Sequence, residues 1–337
     1  MSGTELNPEG GRRRRWWRWA IHALVLLLVV WGVRRTMVSG LAQLSDFDWQ
    51  LHPPWLVAAG GLYLLGMFPM GLFWYAALRA LGQQPPLAAT IRAYYIGHLG
   101  KYVPGKALVV VLRAGLLRET GVPASVAAAA VFLETLTMMA VGAFLAVGIL
   151  GIWLAKYLPQ HDYLLPLAVS LLLISGLPTW PPIFRRLALR LGVGRRDPQM
   201  ADKLRGVNYR LMAWGWLAVA TGWLFLALSL WAVLRAMGLP GLHPLAHLPY
   251  YTAAVTLSLV AGFLSLLPGG VLVRELMLTA ILGEMYFRHV VPISLASGTA
   301  LAAAVILRLI WLAAELWLAS GCYLLIRPSA AARQGLD

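Results

Sequence analysis

Long apolar runs dominate the pattern of hydrophobic and polar positions along the chain. A helix needs about 20 apolar residues to cross a hydrocarbon core of about 30 Å. Six runs come close to or exceed this length, and the last of them is so long that it must tilt, kink or project from the membrane. The runs cover residues 16–33, 55–81, 125–154, 163–180, 211–237 and 292–326. The pattern predicts an all-α, polytopic integral membrane protein in which residues 1–337 form a single membrane domain.

Two further apolar regions are interrupted in the middle. Residues 87–118 contain Pro104-Gly105, and residues 250–283 contain Pro268-Gly269-Gly270. The pieces on either side of each break are short for a full crossing. We therefore predict two re-entrant hairpins, each entering and leaving by one face of the membrane, with a full crossing as the alternative. Irregular backbone at this depth is tolerated only inside protein or beside a wet cavity.

The two interrupted regions resemble each other. Residues 98–106 can be aligned with residues 262–270, so that the two Pro-Gly pairs coincide. Each segment is followed by a short apolar helix that carries an arginine, and then by a longer span. Three predicted crossings separate the copies, and an odd number inverts the second copy. We predict an inverted repeat, as in many secondary transporters; two unrelated kinked helices are the alternative.

Composition and charge support a membrane protein and suggest its orientation. The chain is 60% hydrophobic and 12% charged, whereas soluble domains have about 25% charged residues. Its net charge of +15 indicates topology, because the cytoplasmic loops of membrane proteins are enriched in Lys and Arg. We therefore expect no nucleic-acid partner. This rule places a basic tail (1–15), a basic loop (183–210) and both termini in the cytosol.

Charged side chains inside the apolar segments are costly to insert and therefore need partners or a function. Pairing of Arg113 with Glu134, or of Glu275 with Arg308, would relieve this cost with no function beyond scaffolding. Glu315 follows Arg308 by two helical turns, so both should point into the protein. The charges in or near apolar segments are Lys101, Lys106, Arg113, Glu134, Arg274, Glu275, Arg308 and Glu315.

The two breaks also bring helix amino termini close to these cations. Lys106 and Arg274 are each predicted in the first turn after a break, where free backbone N–H groups bind anions. If the breaks meet at mid-depth, the resulting electropositive pocket would suit the phosphate of a phospholipid or isoprenoid lipid. The predicted substrate-binding residues are Lys101, Pro104, Gly105, Lys106, Arg113, Glu134, Pro268, Gly269, Gly270, Arg274, Glu275 and Arg308.

These motifs resemble the membrane domain of lysylphosphatidylglycerol synthases and their stand-alone relatives. The resemblance extends from about residue 16 to residue 326. It departs from the family at Leu272, where a glycine is common, and at Ala107, near which a bulky residue is common. The matching segments are Gly100-Lys-Tyr-Val-Pro-Gly-Lys106 with Arg113, Gly121-Val-Pro123, Glu134, Pro268-Gly-Gly-Val-Leu-Val-Arg-Glu275 and Arg308.

The resemblance implies a lipid flippase of the bacterial inner membrane. Its substrate would be an anionic phospholipid, a hopanoid or a polyprenyl-linked lipid. Only about a dozen residues follow Ile326, so we expect neither the cytosolic catalytic domain of the bifunctional synthases nor enzymatic activity. The alternatives are a membrane-embedded lipid-modifying enzyme and an accessory scaffold for a glycosyltransferase partner.

Metal and cofactor chemistry is not indicated by the sequence. His243 and His247 are four residues apart, but Pro244 and Pro249 flank them and no acidic third ligand is near. His98, beside the first break, suits a structural hydrogen bond better than a proton shuttle. Glu134 and Glu275 could accept protons if burial raised their proton affinity. We expect no metal and no cofactor.

Overall fold

The computed structural model describes residues 51–102, 107–157, 163–193, 199–239, 241–265, 270, 273–283 and 293–325, with helical residues Leu27, Trp31, Arg34 and Val38 of the predicted first span. Within these ranges the chain is helical and contains no strand, which confirms the predicted all-α class. Most of the first span, the tail 1–15 and the tips of both predicted hairpins lie outside the described residues.

The long helices agree closely with the predicted spans. The helices are α1 Pro53–Ala80, α2 Leu87–His98, α3 Ala107–Leu117, α4 Ala124–Tyr157, α5 Leu164–Gly176, α6 Pro181–Arg190, α7 Met200–Lys203, α8 Tyr209–Ala236, α9 Leu248–Leu264, α10 Val273–Leu282 and α11 Ile293–Leu325. Short 3-10 turns cover Leu99–Tyr102, Arg118–Thr120, Leu177–Thr179 and Leu204–Gly206. Four helices in the described ranges are long and apolar enough to cross a bilayer, namely α1, α4 over Ala124–Ile152, α8, and α11 over Gly298–Leu324.

A fifth crossing would combine α5 and its 3-10 extension with α6. The two parts are bent by 70° where Pro181 begins α6. The predicted span 163–180 is therefore followed by a helix in another direction, because proline is well tolerated in the first turn of a helix. The connection 183–210, predicted as a loop, contains most of α6 and all of α7. Phe184 and Ala188 bury one face of α6, and Arg186 and Arg190 are exposed.

Both interrupted regions contain two short helices that pack against each other. In the first hairpin, formed by α2 and α3, Gly97 and Gly100 bring the helices into close contact. A methyl group added at Gly100 would lie 2.6 Å from the backbone nitrogen of Val109. In the second hairpin, formed by α9 and α10, Gly262 lies against the side chain of Arg274. Small residues at helix contacts allow this close approach.

The two hairpins pack on the same pair of long helices. In the first hairpin, α3 contacts α4 and α2 contacts α11. In the second hairpin, α10 contacts α11 and α9 contacts α4. Helices α1 and α8 cross at Gly66 and Gly222, where a methyl group added at either glycine would lie within 2.8 Å of the other's carbonyl oxygen. Each of these glycines lies the same number of residues after the start of its 28-residue helix.

Candidate functional site

A buried ion pair joins the first hairpin to the helix that follows it. Arg113 of α3 donates from Nη1 to Oε2 of Glu134 on α4, at 2.8 Å. The Tyr94 hydroxyl donates to the other carboxylate oxygen at 3.2 Å. The Arg113 guanidinium also lies over the rings of Tyr94 and Trp74, at 4.1 and 5.2 Å from their centroids. The predicted pairing is therefore correct, and these contacts hold Arg113 from several sides.

The second hairpin forms the corresponding pair with its own following helix. Arg308 of α11 donates from Nη1 to Oε1 of Glu275 on α10, at 3.0 Å. Glu275 lies in the first turn of α10, where a carboxylate also complements the helix dipole. Both residues are buried, as a charge inside a membrane protein requires. This second predicted pairing is also correct.

A third cluster surrounds Glu315, which is buried on α11. Its Oε1 lies 2.5 Å from Nζ of Lys101, in the 3-10 turn after α2, and it also accepts a hydrogen bond from the Tyr63 hydroxyl. Nε2 of His98 lies 3.3 Å from that hydroxyl and 3.7 Å from the same carboxylate oxygen. The inward direction of Glu315 was predicted, but its partners were not.

These charged groups border a cavity of about 110 Å³ level with the middle of the long helices. Its apolar wall includes Met67, Met139, Leu226, Leu259 and Phe263. Five predicted site residues line it, namely Lys101, Arg113, Glu134, Gly270 and Arg274. A space of this size holds several water molecules and suits a small head group, since one water needs about 10–15 Å³ by this measure.

Helices α3 and α10 reach the same cavity with their first turns. Val109 lines it from the start of α3, and Arg274 lines it from the start of α10. The structure therefore brings the starts of the two short helices together, as the pocket hypothesis requires. Glu275 and Arg308 form their pair outside the lining. The remaining predicted residues lie outside the described ranges, namely Pro104, Gly105, Lys106, Pro268 and Gly269.

Arg274 differs from the other cations of the site. Among the described residues it forms no ion pair with a carboxylate. Its guanidinium carbon lies 5.6 Å from the centroid of the Trp311 ring, and its stem packs on Gly262. In the described part of this cluster, the cations Lys101, Arg113, Arg274 and Arg308 outnumber the carboxylates Glu134, Glu275 and Glu315. The site is therefore electropositive.

The histidines His243 and His247 lie outside this cavity, ahead of α9. Their ring centroids are 5.9 Å apart, and burial together with the neighbouring His243 lowers the pKa of His247. Within the described ranges, no group of three His, Cys, Asp or Glu residues could hold a metal ion. Nothing in this geometry adds a ligand to the pair.

The fold and the cavity define a multi-pass helical membrane protein with a buried, charged central site. Residues 17–318 match the family described as the lysylphosphatidylglycerol synthase TM region, which covers most of the chain. The chain belongs to this family, and the resemblance drawn from its motifs is confirmed. Comparison with curated proteins gives no significant match.

Proposed function

We propose that this chain is a flippase that moves an anionic lipid across the bacterial inner membrane through the cavity between the two hairpins. The observation that carries the proposal is the composition of the cavity wall. Lys101, Arg113 and Arg274 face a space that is otherwise lined mainly by apolar side chains. The cations suit a phosphate group, and the apolar wall suits the adjoining acyl or isoprenoid carbon chain.

The excess of positive charge supports an anionic rather than a neutral head group. Two of the cavity cations, Lys101 and Arg113, have a carboxylate partner, whereas Arg274 has none among the described residues. A guanidinium that no carboxylate neutralises attracts phosphate oxygens strongly. A phospholipid, a phosphate-bearing hopanoid derivative or a polyprenyl phosphate would all supply this chemistry.

We propose transport rather than catalysis. Glu134 and Glu275, the carboxylates of the two hairpin pairs, are each held by an arginine. A carboxylate held in this way is committed to its structural partner and is not free to approach a substrate. This supports a binding role for the cavity and disfavours the lipid-modifying enzyme.

We further propose six crossings and two hairpins that enter from opposite faces as an inverted repeat. The pairing of elements supports this arrangement, because each contact of the first hairpin with a long helix has a counterpart in the second. The crossing of α1 and α8 at Gly66 and Gly222 would lie on the axis that relates the halves. The same topology puts both termini in the cytosol.

Cysteine labelling tests the inverted arrangement. Gln84 precedes the first hairpin and Leu245 precedes the second, and both are exposed. In a Cys322→Ser background, Gln84→Cys should react with a membrane-impermeant maleimide only from the cytosolic side, and Leu245→Cys only from the periplasmic side. Reaction of both cysteines from the same side would overturn the repeat.

We propose that α6 lies on the cytosolic surface of the membrane, and that α5 with its 3-10 extension makes the crossing over residues 163–180 without it. Its exposed side chains combine apolar Ile183 and Leu187 with basic Arg186 and Arg190. A helix with this mixture lies in the interface and is attracted to anionic head groups. The exposed Trp180 at its start fits the same position.

Arg274→Ala tests the proposed function most directly. We expect the variant to lose translocation of fluorescent phosphatidylglycerol in proteoliposomes, because the cavity loses the cation that no carboxylate neutralises in the described structure. The matched control is Arg118→Ala, which removes an exposed arginine and should behave as wild type. Translocation by the folded Arg274→Ala variant at the wild-type rate would contradict the proposal.

A further inference from the structure

Glu315 is a buried carboxylate that lies behind the cavity rather than in its lining. Its side chain is 3% exposed, and one of its oxygens, Oε1, receives the contacts from Lys101 and Tyr63. The other oxygen, Oε2, is buried and has no hydrogen-bond partner in the described part of the chain. Lys101 lines the cavity, so the ammonium group lies between Glu315 and the space that a head group would enter.

The surroundings of Glu315 come from its own helix, α11, and from four other elements. Tyr63 approaches from α1, His98 from the end of α2, and Lys101 with Tyr102 from the 3-10 turn. Arg308 of α11 and Arg274 of α10 lie within electrostatic range of both Lys101 and Tyr102. The titratable or charged groups that face this carboxylate and its lysine are therefore Tyr63, His98, Lys101, Tyr102, Arg274 and Arg308.

The Lys101–Glu315 pair is easier to open than the two arginine pairs. Arg113 is fixed by Glu134 and by two aromatic rings, and its side chain is 2% exposed. Lys101 also lies over two rings, those of Tyr63 and Tyr102, at 5.7 and 5.2 Å from their centroids, but it has a flexible stem with a single compact charge, and its side chain is 23% exposed. An anionic head group in the cavity could therefore draw Lys101 away from Glu315 more easily than it could separate either arginine from its glutamate in the described site.

Opening this pair would leave Glu315 as a buried carboxylate without its cation. Such a charge is strongly unfavourable inside a protein, and a buried carboxylate that loses its cation takes up a proton instead. His98 lines the cavity and lies 3.7 Å from Glu315, so it offers a route for that proton from the cavity water. Binding of an anion to Lys101 and protonation of Glu315 are thus linked events.

We propose that the chain couples lipid movement to protons, and that Glu315 exchanges Lys101 for a proton whenever an anionic head group binds. This inference rests on the proposed flippase function. The proton comes from water on the side to which the cavity is open and adds to a carboxylate oxygen of Glu315. The lipid phosphate takes the Lys101 ammonium as its partner. On release at the other side, Glu315 gives the proton to water and pairs with Lys101 again, so one negative head group and one proton move together.

Calorimetric titration of the purified full chain with dioctanoyl phosphatidylglycerol tests the coupling. Repeating the titration in buffers of different ionisation enthalpy measures the protons taken up per lipid bound. We expect about one proton for the wild type, and therefore an affinity that weakens about tenfold for each unit rise in pH. For Glu315→Gln we expect no proton uptake and an affinity that is nearly independent of pH.

Two further variants keep the test decisive. The exposed Glu119→Gln is the matched control and should show the wild-type proton uptake. The double variant Lys101→Gln with Glu315→Gln removes the ion pair as a unit, so it leaves no buried unpaired charge if the single variant does not fold. It should bind more weakly, through Arg274, and without proton uptake.

The outcomes separate this inference from the proposed function. Lipid binding by the wild type without proton uptake would overturn the coupling but would not contradict the flippase function. Proton uptake that persists in Glu315→Gln would have the same meaning. An absence of lipid binding by the wild type would overturn both. Proton uptake that disappears only when Glu315 is changed would support both.

Discussion

The two hairpins use the same parts with the charges exchanged. In the first, the arginine (Arg113) lies on the short helix and the glutamate (Glu134) on the long helix that follows. In the second, the glutamate (Glu275) lies on the short helix and the arginine (Arg308) on the long helix. Either order joins the hairpin to its long helix by a buried pair. The exchange leaves the second hairpin free to present a different arginine to the cavity.

Arg274 distinguishes the second hairpin from the first, although the two hairpins share the same architecture. The two cations that the first hairpin places at the cavity, Lys101 and Arg113, are paired with carboxylates in the described structure, whereas Arg274 contacts the face of Trp311. We interpret the first hairpin as a rigid support with an exchangeable lysine, and the second as the source of attraction for the anion. Substitutions in the two hairpins should therefore differ in their effects on stability and on lipid affinity.

The largest effect should follow from removing the glutamate of each pair. Glu134→Gln and Glu275→Gln each leave an arginine buried without its partner, which typically costs about 3–5 kcal/mol of unfolding free energy. The loss should be larger for Glu134→Gln, because the side chains of its pair are 2% and 3% exposed, against 8% and 10% for the other. Thermal unfolding in detergent measures the ranking, with exposed Glu119→Gln as the control. Equal losses would contradict the division.

An intermediate effect is expected where each arginine packs on a glycine. Gly97→Ala forces a methyl group against the stem of Arg113, which Glu134 prevents from moving, so we expect a loss of about 1–3 kcal/mol in unfolding free energy. Gly262→Ala displaces Arg274, which has more freedom to shift, so its stability loss should be smaller and its loss of lipid affinity larger.

Gly115→Ala provides the control for this pair of variants. An added methyl group at Gly115, on the same hairpin, meets no atom within 4 Å. The change should raise stability by about 0.5–1 kcal/mol, as is usual for glycine inside a helix. Unfolding curves and phosphatidylglycerol titrations of the three variants give the comparison. A larger affinity loss in Gly97→Ala than in Gly262→Ala would reverse the roles that we assign to the hairpins.

The smallest effect should come from the ring beneath Arg274. Trp311→Phe weakens the cation–π contact by about 0.5–1 kcal/mol, which predicts a two- to fivefold change in the affinity for dioctanoyl phosphatidylglycerol. In the unsubstituted protein the rings of Tyr63 and Trp311 are stacked, with their centroids 4.6 Å apart, and phenylalanine keeps an aromatic face for this contact. Trp317→Phe, on the exposed side of the same helix, should leave the affinity unchanged. Equal affinities of the two variants for dioctanoyl phosphatidylglycerol would show that Trp311 does not contribute to lipid binding.

Much of this architecture could be predicted because a membrane protein needs apolar segments of a certain length and partners for its buried charges. Apolar length predicted the long helices α1, α4, α8 and α11 to within a few residues, apart from a slightly later start for the span in α11. The cost of buried charge predicted the Arg113–Glu134 and Arg308–Glu275 pairs, because each cation had few partners within reach.

Other features lacked a sequence signal. Lys101 and Glu315 are 214 residues apart, and no local spacing relates them. Tyr63 and Trp311 lie in helices that are apolar on nearly every side, so periodicity did not indicate which face meets the cavity. The proline pair Pro181-Pro182 can end one helix or begin another, and the sequence does not show that it begins α6 in a new direction. These features depend on tertiary packing.

The contact of Gly66 with Gly222 has a mechanical consequence. Because the two backbones meet there and the side chains of Leu226 and Met70 pack tightly around them, the crossing is a fixed point between α1 and α8 rather than a surface along which they slide. A turn of one half against the other about this point would move the outer ends of the helices far more than their centres. Water could then reach the cavity from alternate faces while the two glycines stayed in contact.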